Sequence, residues 1–363
     1  MNRYWFYLIL ENMLVNVIIF IPYALIEQRF DGMMQSILWG IPIGVFFIYL
    51  FMKSLSKFPG KDLPQIMREA SPRWFALPFI LLHGVMIYLA GAITMVAFCN
   101  ITITFINPDI PLPLLLLVFS IVASVIIQLP SEKILYFIEI VIVIYVPWHI
   151  FILFKAFISP QMRWDAIVES LTHITNPPNW SGVAASSYIF SGYANMAIFN
   201  RLFKTTFRFR WAIIYGLMGI LTLFGSVFIP IGLEGTGGVG DFTFPAVVAA
   251  DSLRVQYGFV ERLIFLFLFL YAHISFMSMV IHWHVSMEIF KRSLPKNVKQ
   301  GKKNVAARWV ASALFIGGVL ILGSFNEEQF FRFSERWISV RLATEAMLVL
   351  TIVWAARRKK HAG

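Results

Sequence analysis

Apolar stretches long enough to cross a membrane recur along the chain. A helix needs about 20 mostly apolar residues to span a bilayer. The predicted spans are residues 5–26, 33–52, 75–99, 112–129, 134–158, 183–200, 211–233, 263–287, 309–325 and 337–356. Polar residues interrupt two of them near mid-depth, in "ENMLVNVIIFIP" (11–22) and "SSYIFSGYAN" (186–195). The pattern predicts an all-α integral membrane protein with ten transmembrane helices, of which the first and sixth are interrupted.

The composition supports a membrane protein. The 363 residues are 59% hydrophobic and 13% charged, whereas soluble domains carry roughly 25% charged residues. An ordinary soluble enzyme is therefore excluded. The sequence has no zinc-binding HExxH and no nucleophile elbow, so no enzyme activity, cofactor or metal is expected. We expect one transmembrane domain over 1–363, with halves at about 1–158 and 183–356 and a basic tail at 357–363.

The net charge of +11 is explained by the predicted orientation of the chain in the membrane. With the N-terminus inside, 22 of the 30 Lys and Arg residues fall on the cytoplasmic side and seven on the other, and Arg341 lies within the last span. Positive residues concentrate in cytoplasmic loops. The split predicts that both termini are cytoplasmic, and it explains the basic excess without a nucleic-acid partner.

Ten spans divide into two halves of five. Because five is odd, the second half starts on the opposite side of the membrane. Such halves can form an inverted repeat, the plan of many secondary transporters. The first and sixth spans would then be equivalent, and both carry a polar interruption. The equivalence rests on position and polarity, because the halves share no evident residue-level similarity.

The interrupted sixth span holds the strongest candidate ligand groups. Burying an amino acid requires donors for its carboxylate and acceptors for its ammonium, and broken helices expose both. Gly192 is the predicted hinge, and Ser187, Ser191 and Tyr193 carry hydroxyls. A packing face of small residues is the alternative.

Further candidates lie on the first, third and eighth spans. They are Asn12, Asn16, Tyr88, Thr94, His273, Ser275 and Ser278. Each also has a structural interpretation, since buried amides cross-link helices and buried tyrosines are often satisfied core residues. His273, as an ionisable residue within the bilayer, could sense pH or hold a carboxylate, or it could be a neutral histidine bonded between helices.

Other charged residues of the spans are assigned structural roles. Glu11 is predicted near the cytoplasmic face, paired with a loop cation rather than carrying protons. Glu139 is predicted to reach the cytoplasmic end or to meet Lys133, with an ion pathway as the alternative. Arg341 and Glu345 are four residues apart and are predicted to pair on one helix face.

Three stretches, in order, resemble the endospore germination permease family. They are "LSKFPGKDLPQIM" (55–67), "FSGYANMAIFNRLFK" (190–204) and "FTFPAVVAADSLRVQYGFVERLIFLFLF" (242–269). Members of that family are the B subunits of GerA-type nutrient germinant receptors, within the amino acid–polyamine–organocation superfamily. The chain departs from the family in the first span, where "LVNVIIF" (14–20) lacks a glycine. It departs again at Ala194, where a glutamate often stands.

The resemblance implies a leucine-transporter-type fold with a small-molecule site between the first, third, sixth and eighth spans. The ligand would be an amino acid or a similar nutrient that acts as germinant. The implied partners are a larger membrane A subunit and a lipid-anchored C subunit, in the inner membrane of a dormant spore. A proton- or sodium-coupled amino acid transporter of the same fold and a non-binding scaffold subunit are the alternatives.

Overall fold

The computed structural model describes residues 3–203, 207–255, 261–293 and 302–361, without the side chains of 302–307 and 360–361. These residues form helices and short connections, and they contain no β-strand. In chain order the helices are α1 (Arg3–Asn16), α2 (Phe20–Ile26), α3 (Met33–Leu55), α4 (Leu63–Ala70), α5 (Arg73–Phe105), α6 (Leu112–Ile126), α7 (Ser131–Phe157), α8 (Trp164–Thr172), α9 (Trp180–Tyr188), α10 (Met196–Phe199), α11 (Phe209–Glu234), α12 (Pro245–Ser252), α13 (Leu263–Ser293), α14 (Lys302–Gly323) and α15 (Glu327–His361). Short 3₁₀ turns cover Ser191–Asn195, Asn200–Leu202 and Gly238–Asp241.

The long helices identify a multi-pass membrane protein. Among the described residues, six helices are long and apolar enough to cross a membrane: α3, α5, α7, α11, α13 and α15. A seventh candidate is the pair α1 and α2, bent by 50°. Two shorter apolar stretches, α6 and residues 308–323 of α14, overlap the fourth and ninth predicted spans. α5 and α13 pack against each other and are the most buried of the six.

The first predicted span is broken at residues 17–19, between α1 and α2. No glycine or proline lies at this break. Instead, the Asn16 side chain donates to the backbone oxygen of Asn12 at 2.8 Å and to its side-chain oxygen at 3.0 Å. An amide that bonds the preceding turn competes with the helical hydrogen bonds. The three β-branched residues that follow add to this local preference against helix.

The sixth predicted span is broken as well, and we call residues 180–202 the broken segment. α9 ends at Tyr188, a turn follows at residues 189–190, and the Ser191–Asn195 turn leads into the single turn of α10. The break of the sixth span lies against α1, because the Asn12 amide donates to the backbone oxygens of Tyr188 at 3.0 Å and Ile189 at 3.3 Å.

Charged residues join several helix ends on the predicted cytoplasmic side. Glu288 of α13 pairs with Arg201 at 2.9 Å, Lys291 at 3.0 Å and Arg292 at 3.1 Å, and Arg292 also pairs with Asp62 at 2.8 Å. We call these five residues the Glu288 cluster. It connects the end of the broken segment, the end of α13 and the connection before α4.

The partner predicted for Glu139 is wrong. Its carboxylate pairs with Arg3 at 2.9 Å and accepts from the Tyr4 hydroxyl at 3.1 Å. The start of α1 therefore supplies the cation. Sequence proximity favoured Lys133, but the contact depends on how α1 packs against α7.

Candidate functional site

A small cavity lies beside the break of the broken segment, between α5, α13 and α15. It has a volume of about 50 Å³. At about 10–15 Å³ per water molecule, it has room for about three to five waters, or for a ligand of few heavy atoms. Its polar lining residues are His83, Ser191, Asn195, His282, Arg341, Thr344 and Glu345. We call it the Arg341 cavity.

A buried ion pair dominates the Arg341 cavity. Each partner's side chain is only 7% exposed, and Arg341 Nη1 donates to Glu345 Oε2. Arg341 Nη2 donates to the backbone oxygen of Ala184 at 2.9 Å and to Ser187 Oγ at 3.0 Å. The guanidinium carbon lies 4.7 Å from the centre of the Tyr188 ring. The last turns of α9 therefore hold the cation in place.

Several buried polar atoms near this pair have no hydrogen-bond partner among the described protein groups. Arg341 Nε is an unused donor, and Asn195 Oδ1 is an unused acceptor. The Tyr193 hydroxyl makes no hydrogen bond of standard geometry, but it interacts with the Glu345 carboxylate. A buried polar atom without a partner costs about 1–3 kcal/mol. The cavity thus combines a fixed cation, a fixed carboxylate and unused hydrogen-bonding groups.

The predicted residues of the broken segment all lie close to α1 or to the cavity. Ser191 lines the cavity and donates to the backbone oxygen of Tyr188 at 2.8 Å. Ser187 accepts from Arg341. Gly192 allows close backbone contact with α1, because a Cβ there would lie 2.5 Å from the backbone oxygen of Leu8.

The predicted residues of the first and third spans make structural contacts instead. Asn12 and Asn16 use their amide groups at the two breaks, as described above. The Tyr88 hydroxyl donates to the backbone oxygen of Phe315 in α14 at 2.8 Å. Thr94 donates to Ala90 within its own helix at 2.9 Å. These four side chains do not line the Arg341 cavity.

The structure corrects the prediction for His273. Its side chain is exposed on the outside of the bundle, and Nδ1 contacts the backbone oxygen of Phe269 at 2.7 Å. At 100° per residue, His273 lies on the opposite side of α13 from Ser275, two residues later. Ser275 and Ser278 are buried, but neither lines the cavity. The eighth span contributes His282 to the lining instead.

Sequence reasoning missed five polar lining residues: His83, His282, Arg341, Thr344 and Glu345. One signal was available, because ionisable residues within membrane spans mark functional sites by default. The pairing of Arg341 with Glu345 is confirmed. Its position beside the broken segment required the packing of α15 against α9.

A second cavity of about 50 Å³ lies beside the break between α1 and α2. It is lined mainly by aliphatic residues of α7, α11 and α12, and its polar lining residues are His149, Thr222 and Ser226. Because it lacks a permanently charged group, it offers little to balance the charges of an amino acid.

The family model described as "Spore germination protein", the spore permease model, matches residues 2–330. The chain belongs to the spore germination permease family. The match covers most of the chain, from α1 to the first turn of α15, and confirms the resemblance seen in the sequence. Arg341 and Glu345 lie beyond the matched residues. No curated protein matches the chain.

Proposed function

We propose that this germination permease is the membrane subunit of a nutrient germinant receptor and that its Arg341 cavity binds a small amino acid or a similar zwitterion. The observation that carries the proposal is the buried Arg341–Glu345 pair beside the broken segment. A cation and a carboxylate side by side match the two charges of a zwitterion. The ligand carboxylate would bind Arg341, and its ammonium would bind Glu345 and Asn195.

The position of Glu345 offsets one departure from the family pattern. Family members often carry a glutamate where this chain has Ala194, and Ala194 lines the same cavity as Glu345. α15 would therefore supply the carboxylate that the broken segment lacks. This favours a binding subunit over a non-binding scaffold.

The breaks support the proposed architecture. The two interrupted spans, the first and the sixth, pack against each other and are joined by Asn12, as expected for ten spans in a five-plus-five inverted repeat of the leucine-transporter type. We also propose cytoplasmic termini, a location in the inner spore membrane, A and C subunits as partners and no enzymatic activity. Nutrient binding would shift the population between two conformations that those partners detect.

Spores with and without this gene test the proposal when they are exposed to single nutrients. The account predicts that at least one small amino acid triggers germination only when the gene is present. The Arg341→Gln/Glu345→Gln variant, present at the normal protein level, should lose that response. An unchanged response in the double variant would refute the site.

A transport assay separates the receptor from the coupled transporter. The purified protein in proteoliposomes would be supplied with the labelled amino acid under a proton or sodium gradient. A receptor subunit is expected to bind without concentrating the label. Gradient-dependent accumulation would support the transporter instead.

A further inference from the structure

Glu11 differs from the other buried acidic residues. Among the described residues the buried carboxylates are Glu11, Asp62, Glu288 and Glu345. The last three pair with arginine, and Glu288 also pairs with a lysine. Glu11 has no exposed surface and takes part in no ion pair of the described residues. The prediction that it pairs with a loop cation is therefore wrong.

The carboxyl group of Glu11 also lacks ordinary hydrogen bonds. Both oxygens are buried without a partner of standard geometry. Across the interface with α13, the Ser278 hydroxyl interacts with the carboxyl group, but the effect of burial is larger. One turn earlier, the Ser275 hydroxyl is also buried and unpartnered. An ionised carboxylate here would lose its hydration and gain almost nothing in return, so the neutral acid is the stable form.

Among the described residues, no permanent cation of the surrounding elements balances Glu11. Arg3 and Arg201, near the cytoplasmic ends, already pair with Glu139 and Glu288. Of the other cations on α7, α11 and α13, Lys291 and Arg292 belong to the Glu288 cluster, Lys133 and Arg210 are exposed, and Lys155 lies in the last turn of α7. His149 of α7 is half-buried. Apart from Glu288, the buried titratable groups on these helices and on the broken segment are phenols and imidazoles: Tyr145, Tyr188, Tyr193, Tyr215, Tyr271, His282 and His284.

We propose that Glu11 is a proton-binding site of this protein, occupied while α1 is packed against α13. If α1 moved away from α13, water would reach the carboxyl group. An exposed glutamic acid has an ordinary pKa near 4.3, so Glu11 would then release its proton to water at neutral pH. Leaving the packed state would therefore release one proton per chain, and returning to it would take one up.

The position of Glu11 connects this proton to the Arg341 cavity. The next residue, Asn12, bonds the backbone oxygens of Tyr188 and Ile189 at the break of the broken segment. Tyr188 in turn contacts the Arg341 guanidinium. A shift of α1 would therefore affect the proton site and the wall of the cavity together.

Infrared spectroscopy of the full-length protein in lipid vesicles tests the site directly. The spectrum of the Glu11→Gln variant would be subtracted from that of the unmodified protein at pH 7. We expect the difference to show the carbonyl stretch of a protonated carboxylic acid. The matched control is Glu139→Gln, which removes a carboxylate paired with Arg3. Its difference spectrum should show the loss of an ionised carboxylate only.

Two further observations make the test decisive. Glutamine mimics the neutral acid, so the Glu11→Gln variant should fold and melt close to the unmodified protein. A variant that fails to fold, or an ionised carboxylate band for Glu11 at pH 7, would overturn the proposal.

The infrared band of the protonated acid should be equal in sodium chloride and in choline chloride. Its loss in sodium at constant pH would assign the site to a sodium ion instead. Because the experiment uses no nutrient, its outcome is independent of whether the Arg341 cavity binds one.

Discussion

Gly192 lies where the broken segment touches the backbone of α1. A Cβ at this position would lie 2.5 Å from the Leu8 oxygen and 2.8 Å from the Ile9 Cα. Neither backbone atom can move aside as a flexible side chain could. The close approach of the broken segment to α1 therefore requires a residue without a side chain.

We predict that Gly192→Ala lowers the thermal stability of the purified protein, by about 1–3 kcal/mol for an overpacked site. The control is Gly317→Ala in α14, where an added Cβ has nothing within 4 Å. That change should be neutral or slightly stabilising, because alanine favours helix. Equal melting temperatures for Gly192→Ala and the unmodified protein would contradict the close contact.

A second prediction concerns the energetic coupling between Arg341 and Glu345. Removing one partner leaves a buried charge without compensation and costs about 3–5 kcal/mol. Arg341→Gln and Glu345→Gln should each destabilise the protein, and the double variant should recover most of the loss. Thermal melting of the three variants measures this coupling. Additive losses in the double variant would show that the two charges do not interact.

Individual residues were predictable only in part. Ser191 and Gly192 stand out because polar and small residues interrupt an apolar run. The pairing of Arg341 with Glu345 follows from helical spacing. The surroundings of Glu11 and His273 did not follow, because a hydrophobic run on every side of a helix conceals which face meets a neighbour. Tertiary packing determines which face of α1 and which face of α13 points toward the neighbouring helices.

At the scale of elements, length was the reliable signal. The predicted span at 112–129 corresponds to α6 (Leu112–Ile126), and the span at 211–233 corresponds to α11 (Phe209–Glu234). Several other helices extend beyond their predicted spans because polar residues at their ends continue the helix, as in α15. The interruption of the first span was predicted from its polar residues. Its position at 17–19 depends on the Asn16 side chain bonding back to Asn12.

The Glu288 cluster is the element-scale feature with the clearest energetic consequence. Glu288→Gln removes the carboxylate shared by three cations on helix ends, and we expect a loss of about 3 kcal/mol in stability. The control is Glu328→Gln, which breaks the exposed pair of Glu328 with Arg332 and should cost about 0–1 kcal/mol. Both are measured by thermal melting. Equal effects would show that the cluster contributes no more than a surface pair.

At the scale of the whole molecule, the charge asymmetry makes a testable prediction of orientation. Lys57 is exposed on the predicted cytoplasmic side, and Asp165 is exposed on the other side. In intact cells, a membrane-impermeant maleimide should label Asp165→Cys, whereas Lys57→Cys should react only after permeabilisation. The single native cysteine, Cys99, is buried and should give little background. The reverse labelling pattern would contradict the proposed orientation.

The central claim is that the Arg341 cavity recognises both charges of a small amino acid. Calorimetry on the purified protein tests it most directly, with small amino acids compared with the matching amines and carboxylic acids that each lack one charge. The account predicts that only the zwitterion binds. Its affinity should fall about 100-fold, or about 2.7 kcal/mol, in Arg341→Gln/Glu345→Gln, although this variant melts near the unmodified protein. Unchanged affinity in the double variant, or equal binding of an analogue that lacks one charge, would contradict the claim.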